Sequence, residues 1–367
     1  MENLVEEMRP KVSVIIPVYN AMPYLTRSLD DVLQQTMREI EVICVDDGST
    51  DNSHAVLCAY AERDQRVRIL TQQNKFAGAA RNKGIEEARG DYLMFLDADD
   101  LFEPQLIERL YSACKKDAAQ IALCRSDMFD MARGKFLKNN ALPRSLFPKH
   151  TPFSPTDYAD YLFQFITPVP WAKIFRRDLI QEGGIRFENR RNTNDLYFSF
   201  CNAAIAQKIT FVDEVLVHLR RGHTTNIQSS SFKNPYECAG AFLEVKRELQ
   251  TRGLYRTFQQ SFVNVAITQS HYVLNMVYEN QPAYLEFCTA LKEMLFHQLD
   301  VLDHPPEFYH SCIEYCTLQW LCNSAAQVSA HSKFSKLFFF ASCSLRTFGV
   351  AKSLGTVFRY MQKKWFK

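Results

Sequence analysis

The sequence predicts an α/β fold in which helices flank a mostly parallel sheet and an all-helical region follows toward the C-terminal end. Two short apolar segments, VSVIIP (12–17) and IEVICV (40–45), have the composition of strands buried on both faces of a parallel sheet. Helical patterns of about ten to fifteen residues separate the strands, as right-handed crossovers require. Beyond about residue 234, long helical patterns continue without strand signals.

These patterns divide the chain into three predicted parts. Residues 1–232 form the α/β domain, with a nucleotide-binding half at about 11–130 and a second, acceptor half at about 131–232. Residues 233–330 form the helical region, through which the chain is expected to be able to form a homodimer. Residues 331–367 form a basic amphipathic tail.

The tail carries eight Lys and Arg residues and no Asp or Glu. Aromatic and aliphatic side chains alternate with these charges, a pattern typical of helices that lie on an anionic membrane surface. The alternative is a core-packing helix with a basic solvated face. The N-terminal decapeptide MENLVEEMRP lacks the apolar core of a signal sequence. We therefore expect a cytoplasmic protein that is peripheral on the inner face of the membrane.

Composition and missing motifs argue against several classes of protein. The net charge of +2, from 43 basic and 41 acidic residues, argues against nucleic acid as the main partner. The loops after the first two strands lack the glycine-rich fingerprint of dinucleotide-binding proteins and the Gly-Lys-Ser/Thr loop of ATP hydrolases. These two nucleotide-binding classes therefore lose their main support.

A cluster of carboxylates follows the apolar segment YLMFL (92–96). Asp97, Asp99 and Asp100 come where this predicted strand ends, and ligands of open α/β sheets bind outside the carboxyl ends of the strands. Asp97 and Asp99 flank only Ala98, so both can bind one Mn²⁺ or Mg²⁺ ion, whose natural partner is a diphosphate. The alternative is that Asp99 or Asp100 caps the following helix.

Four segments, in this order and spacing, resemble glycosyltransferase family 2. They are VSVIIPVYNAMPYL (12–25), VICVDDGSTDNS (42–53), GAARNKGIEEARGDYLMFLDADD (78–100) and WAKIFRRDLI (171–180). The likeness covers roughly residues 11–221. It implies a GT-A Rossmann-like fold, an inverting nucleotide-sugar transferase, and a bacterial surface-polysaccharide type of enzyme.

The resemblance implies a uridine site at the ends of the first two strands. There the ring of Tyr19 would pack against uracil and ribose, and Asp47 would accept a hydrogen bond from the base imide. The alternative for Asp47 is a position in a tight turn before a helix. Arg81 would lie near the nucleotide, with a solvated helix arginine as its alternative. The implied nucleotide-binding set is Pro17, Val18, Tyr19, Asn20, Asp47, Arg81, Asp97 and Ala98.

The resemblance also implies a catalytic base. In the family this is the Asp of a Glu-Asp pair that opens a helix, and here the pair reads Asn194-Asp195. Because this departure removes the Glu and keeps the Asp, we assign Asp195 as the general base that takes the acceptor proton. The alternative for Asp195 is an acid favoured by the helix dipole.

The remaining implied residues contact the acceptor or cover the donor. Trp171 would form an apolar platform for a sugar, or else simply pack in the domain. A flexible loop that folds over the donor diphosphate would contain Arg220, Arg221 and His223. His223 is also a candidate metal ligand beside Asp97 and Asp99, with a solvated histidine as the alternative. The implied acceptor and lid set is Trp171, Lys173, Asn194, Arg220 and Arg221.

Together these features predict a metal-dependent inverting glycosyltransferase of the hexosyl or N-acetylhexosaminyl class. It would move a sugar from a UDP-sugar to a hydroxyl of a glycan or lipid-linked acceptor. One alternative is a catalytically silent module that binds a nucleotide-sugar or a glycan. Another is a nucleotidyltransferase on a similar sheet, although the loop after the first strand lacks the glycines and basic residues usual in that class.

Overall fold

The computed structural model describes residues 9–137, 144–222, 236–277 and 281–311, together with Tyr315, Cys316, Leu318, Gln319 and Cys343. Within these residues a single mixed sheet is flanked by helices, and helices alone follow it along the chain. The predicted α/β fold class is therefore confirmed.

The sheet is built from strands that are mostly short and apolar. Every residue of the second strand is buried, and so is every residue of the first strand except Pro17. The strands are β1 (Val12–Val18), β2 (Ile40–Asp46), β3 (Val67–Thr71), β4 (Tyr92–Phe95), β5 (Leu101–Phe102), β6 (Ile121–Asp130), β7 (Lys135–Leu137), β8 (Lys173–Arg176) and β9 (Ile209–Arg221).

The strand order is β3-β2-β1-β4-β8-β6-β9-β5, and β7 pairs with β6 beside this path. Strands β1 to β4 are parallel, as predicted, whereas β8 runs antiparallel to both β4 and β6. Strands β6 and β9 are parallel to each other. As a result, β1, β2, β3, β4, β6 and β9 all end at the same edge of the sheet, where the antiparallel β8 begins.

Helices cover the sheet and form the later part of the chain. The α-helices are α1 (Leu25–Leu33), α2 (Ser53–Arg63), α3 (Phe76–Glu87), α4 (Leu106–Asp117), α5 (Leu162–Ile166), α6 (Arg177–Gly183), α7 (Asn194–Ile205), α8 (Tyr236–Thr251), α9 (Tyr255–Val277) and α10 (Gln281–Ala290). A π-helical turn, Leu291–Phe296, continues α10.

An aromatic cluster holds α7 on the sheet. The ring of Phe198 on α7 lies 5.2 Å from that of Phe95 on β4 and 5.2 Å from that of Phe175 on β8. Phe187 stacks on Phe198 with a centroid distance of 3.9 Å. These contacts bury large apolar surfaces and fix the first turn of α7 over the edge where β4 ends.

The sequence also predicts a helix near residues 156–166, which differs from the structure, and one or two strands at 209–221, which the structure confirms. The helix predicted near residues 156–166 is a 3₁₀ turn, Pro155–Tyr158, followed by the short α5. Tyr158, in the 3₁₀ turn, and Phe153, just before it, pack edge to face on Phe165 of α5. The segment 209–221, predicted as one or two strands, is the single strand β9.

The chain separates into two compact units, one of Met1–Asn226 with Glu248–Leu254 and one of Ile227–Arg247 with Tyr255–Lys367. The predicted division at residue 232 and the predicted homodimer stay predictions. No helix among the described residues is long and apolar enough to cross a membrane. The predicted basic tail, 331–367, lies outside the described residues except for Cys343.

In the second unit, the side chain of the buried Asn264 forms hydrogen bonds with backbone groups of a nearby loop. Its side-chain amide donates to the carbonyl of Phe308 at 2.9 Å, and its Oδ1 accepts from the N–H of His310 at 2.7 Å. Buried polar groups are stable only when paired in this way. The segment around residues 308–310 is thereby fixed to α9.

Candidate active site

The predicted site residues come from loops at one edge of the sheet. In the parallel register Val18 pairs with Asp46, and Ile15 pairs with Phe95. The residues just after β1, β2 and β4 therefore meet at this edge. They include Tyr19, Asn20, Asp47, Asp97, Ala98 and Asp99.

Asn20 ties the end of β1 to the loop after β2. Its Oδ1 accepts hydrogen bonds from the backbone N–H groups of Thr50 at 2.7 Å and Asp51 at 3.2 Å. Its own N–H donates to Ser49 Oγ at 3.1 Å. Asn20 has a φ of +48°, a left-handed conformation that asparagine tolerates better than most residues. Beside this brace, Tyr19 is 51% exposed, so its ring is open to a planar ligand.

Asp47 lies buried beneath the same loop. Its Oδ1 accepts from Gln72 Nε2 at 2.7 Å and from the N–H of Lys75 at 2.8 Å, while its N–H donates to the carbonyl of Val18 at 2.8 Å. A base imide that reached this oxygen would compete with Gln72. Sequence reasoning missed Gln72, because an uncharged residue after a short strand carries no signal of its own.

Arg81 bridges the acid after β4 and the first residue of α7. Its Nη2 donates to Asp97 Oδ1 at 2.6 Å, and its Nη1 donates to Asn194 Oδ1 at 2.9 Å. The guanidinium also lies 5.3 Å from the centre of the Phe187 ring. Arg81 is only 6% exposed, so the alternative of a solvated helix arginine is wrong. A planar fork of donors suits this double role in a way that a lysine would not.

The three carboxylates after β4 have different surroundings. Asp97 and Asp99 are partly exposed, whereas Asp100 is buried and accepts a hydrogen bond from the N–H of Arg220 at 3.1 Å. Burial, with the negative charges of Asp99 and Asp97, raises the pKa of Asp100 well above its usual range. The capping alternative is wrong, since α4 begins at Leu106 with no side-chain cap.

Asp97 and Asp99 provide the hard oxygen donors that a divalent cation requires. Among the described residues, no three His, Cys, Asp or Glu side chains form a complete metal shell. Magnesium is commonly bound by one or two carboxylates, with substrate phosphates and water filling the other positions. The pair therefore fits a cation that arrives together with a diphosphate. His223, the additional predicted ligand, lies outside the described residues.

Asp195 is the second residue of α7 and is partly exposed. Burial raises its pKa, the guanidinium of Arg81 and the ammonium of Lys173 lower it, and the negative charge of Asp97 raises it further. Asn194, the neighbour of Asp195, is joined to Asp97 through the Arg81 guanidinium. The predicted donor-side acid and the predicted base lie in one neighbourhood.

Three residues assigned to the acceptor side are buried. Lys173 is 1% exposed, and its Nζ donates to the carbonyls of Thr167 and Val169. Its predicted contact with an acceptor is therefore wrong. Trp171 is 7% exposed and belongs to the apolar core, so the packing alternative describes it. Asn194, the third of them, is 8% exposed, and its Oδ1 accepts a hydrogen bond from Arg81.

The prediction that Arg220 and Arg221 belong to a flexible loop is wrong. Both are in β9, where they pair with Phe129 and Asp130 of β6. Arg220 is buried, with its guanidinium 5.3 Å from the centre of the Tyr24 ring. The strand segment predicted at 209–221 already includes both arginines, so the error lies in assigning them to the loop that follows.

Comparison with known proteins identifies the family of the chain. Residues 13–184 match the family model described as glycosyl transferase family 2. The chain is 31% identical to the putative glycosyltransferase EpsH of Bacillus subtilis over 266 residues, which are 69% of this chain and 74% of EpsH. It is 28% identical to the cholesterol galactosyltransferase of Borreliella burgdorferi over 331 residues, which are 86% of this chain and 88% of that protein.

A solved structure extends the likeness to the fold. TarS 1–349 of S. aureus, in complex with UDP-GlcNAc, superposes with a TM-score of 0.65 at 18% identity, over 92% of this chain and 91% of that chain. The predicted GT-A fold is confirmed, and the fold and sequence together define a glycosyltransferase. The chain belongs to glycosyltransferase family 2.

Replacing Arg81 by lysine is expected to lower kcat/KM for sugar transfer by about 10- to 100-fold, because one ammonium cannot hold Asp97 and Asn194 at once. Steady-state kinetics of the purified variant measure this effect. Arg63→Lys, at an exposed position in the last turn of α2, is the matched control and should retain wild-type activity. A folded Arg81→Lys enzyme with unchanged kcat/KM would contradict the bridging role.

Proposed function

We propose that this glycosyltransferase transfers a sugar from a UDP-sugar to a hydroxyl of a glycan or lipid-linked acceptor, with inversion and with a divalent cation. The observation that carries the proposal is the bridge made by Arg81. Its guanidinium binds Asp97 on the donor side and Asn194, the neighbour of Asp195, on the other. A donor-binding acid and a base are therefore held in fixed relation.

The proposal that the donor nucleotide contains uridine rests on the loop after β2, which the hydrogen bonds of Asn20 hold in place. The exposed ring of Tyr19 offers a face for a planar base, and the hydrogen bonds of Asn20 keep that ring at the sheet edge. TarS, which shares the fold, has been solved with UDP-GlcNAc and with UDP. These complexes support a UDP-sugar donor and a hexosyl or N-acetylhexosaminyl class of transfer here.

Asp97 and Asp99 would hold Mn²⁺ or Mg²⁺ against the donor diphosphate. The cation would supply positive charge where negative charge develops on the departing nucleotide. The chain's own residues perform the other tasks. Arg81 orients the Asp97 carboxylate, and burial of Phe95 and Phe198 keeps the edge that carries these residues rigid.

Asp195 would act as the general base. As the acceptor oxygen forms its bond to the anomeric carbon, the bond from that carbon to the UDP oxygen breaks and the acceptor proton moves to the Asp195 carboxylate. Burial raises the pKa of Asp195, which makes its carboxylate a stronger base than an exposed aspartate. A carboxylate at the start of a helix also gains from the helix dipole, so the two interpretations of Asp195 are compatible.

We propose a glycan or lipid-linked acceptor at the inner membrane surface. The relative named cholesterol galactosyltransferase supports a lipid hydroxyl as one class of acceptor. The basic tail at 331–367 would hold the enzyme near such an acceptor.

Asp195→Asn is expected to lower kcat by about 10²- to 10⁴-fold, because the amide cannot accept the acceptor proton. The assay is Mn²⁺-dependent release of UDP from a panel of UDP-sugars. Asp178→Asn is the matched control, since Asp178 also lies in the first turn of a helix, α6, away from the site. Equal rates for wild type and Asp195→Asn would remove Asp195 from the chemistry. No turnover with any donor would favour the silent binding module.

Asp99→Asn is expected to raise the Mn²⁺ concentration for half-maximal activity by about 10-fold or more, since one of two protein ligands is lost. Calorimetric titration of UDP with and without Mn²⁺ gives a second readout that needs no acceptor. Asp178→Asn should leave both values unchanged. Full activity and full UDP affinity in excess EDTA would overturn the metal dependence.

Truncation after Ala330 is expected to abolish binding to anionic vesicles at low salt, because each basic residue near the surface contributes about 1 kcal/mol. Co-sedimentation with vesicles that contain phosphatidylserine measures this, and neutral phosphatidylcholine vesicles are the control. If the truncated and full-length proteins distribute alike, the tail does not bind the membrane.

A further inference from the structure

Lys173 occupies an unusual place at the site edge of the sheet. It is the first residue of β8, which is antiparallel to β4, and the register pairs Ile174 with Met94. Lys173 therefore lies level with the end of β4, just before the segment that carries Asp97. Its side chain is nevertheless buried, at 1% exposure.

The Lys173 ammonium is surrounded by neutral acceptors. It donates to the carbonyl of Thr167 at 3.3 Å, to Thr167 Oγ1 at 3.5 Å and to the carbonyl of Val169. The three hydrogen bonds of its Nζ all go to uncharged oxygens. Three oxygen acceptors match its three donors, but none of them neutralises the charge. A charge buried in this way is costly and is retained only where something compensates for it.

The segment that supplies these acceptors is strained. Thr167 has φ +57° and ψ 153°, a region that is open to glycine and unfavourable for a β-branched residue. In this conformation its carbonyl and its hydroxyl both point to the same ammonium. Such strain persists only when the surroundings fix it, and it tends to be found at functional sites.

Helix α7 packs on β8 on the same face of the sheet as Lys173. On β8, Lys173 and Phe175 are two residues apart and share a face of the sheet. On α7, Asp195 and Phe198 are three residues apart and share a face of the helix. The rings of Phe175 and Phe198 are in contact at 5.2 Å, and Arg81 ties Asn194, at the start of α7, to Asp97 at the site edge. Lys173 and Asp195 therefore both lie on the site side of this ring contact, on the facing surfaces of β8 and α7.

We propose that Lys173 is a positioning residue for Asp195. Its buried ammonium, caged by the Thr167 and Val169 carbonyls beneath the first turn of α7, keeps the Asp195 carboxylate ionised so that it can accept the acceptor proton. This inference rests on the proposed function, since it takes Asp195 as the base. Lys173 itself touches neither substrate nor cation.

The charges around the two groups support this role. For Asp195, burial and the charge of Asp97 favour the protonated form, while Arg81 and Lys173 favour the carboxylate. For Lys173, burial lowers its pKa to about 7, while Asp195 and Cys124 act in the opposite direction. As the pH falls below 7, a larger fraction of Lys173 is charged. Its positive charge then opposes protonation of Asp195 in the acidic range, where Asp195 would otherwise take up a proton.

Removing the positive charge of Lys173 is expected to raise the pKa of Asp195. Without the ammonium, one of the two positive charges that hold Asp195 ionised is lost, so its carboxylate takes up a proton at a higher pH. Activity that needs the ionised base then declines at a higher pH on the acid side. Well above that pH the base is ionised in both proteins, and the difference in kcat becomes small.

The test is the dependence of kcat on pH for Lys173→Met and Lys173→Gln. We expect the acid limb to move to higher pH by about one unit in both variants. Methionine removes the charge at similar volume, and glutamine is also neutral but can still donate to the carbonyls. Lys173→Arg, which restores a positive charge, should move the limb back toward the wild-type position. Lys116→Met, on the exposed side of α4, is the matched control and should leave the limb unmoved.

A purely structural role for Lys173 would lower the melting temperature without shifting the limb. Folded Lys173→Met or Lys173→Gln enzymes with a wild-type acid limb would overturn this inference, while the proposed function would stand if Asp195→Asn is inactive. An active Asp195→Asn enzyme would overturn the proposed function itself. The two failures are therefore distinguishable in one set of assays.

Discussion

The buried guanidinium of Arg81 holds the two sides of the site together. It comes from α3, whereas its partners come from the loop after β4 and from the start of α7, segments about a hundred residues apart in the sequence. Because a buried guanidinium needs hydrogen-bonded partners, moving either segment would leave a charge or an amide unsatisfied. The relative position of Asp97 and Asp195 is therefore set by electrostatics as well as by apolar packing.

Beneath this bridge, the order of strands in the sheet decides which side chains meet. Parallel pairing of β1 with β2 and β4 brings their carboxyl ends together, and the antiparallel β8 contributes its first residue to the same edge. A basic residue at the start of β8 is therefore level with acids at the end of β4. Lys173 occupies that position, and Asp97 follows β4.

The sequence was sufficient to predict the parallel half of the sheet, because its strands are short, apolar and buried on both faces. It was also sufficient to place Asp97 and Asp99 at a strand end. It was insufficient for Lys173 and Arg220, which read as polar lid or acceptor residues but are buried. Their burial depends on neighbours far along the chain, such as Val169 for one and Tyr24 for the other. The pattern of a single sequence does not show which residues far apart in the chain come into contact.

Asp100, the third acid after β4, has a structural role, whereas Asp97 and Asp99 are the candidate metal ligands. Asp100 turns inward, where its Oδ1 accepts from the N–H of Arg220 and its carbonyl accepts from Ser28 Oγ at 2.6 Å. It thereby ties β9 and α1 to the end of β4. Asp97 and Asp99, by contrast, stay partly exposed. Burial and the negative charges of Asp97 and Asp99 favour the protonated form of Asp100, whereas the hydrogen bond from the N–H of Arg220 favours its carboxylate. The hydrogen bonds to the side chain and carbonyl of Asp100 fix the loop from which the other two acids project.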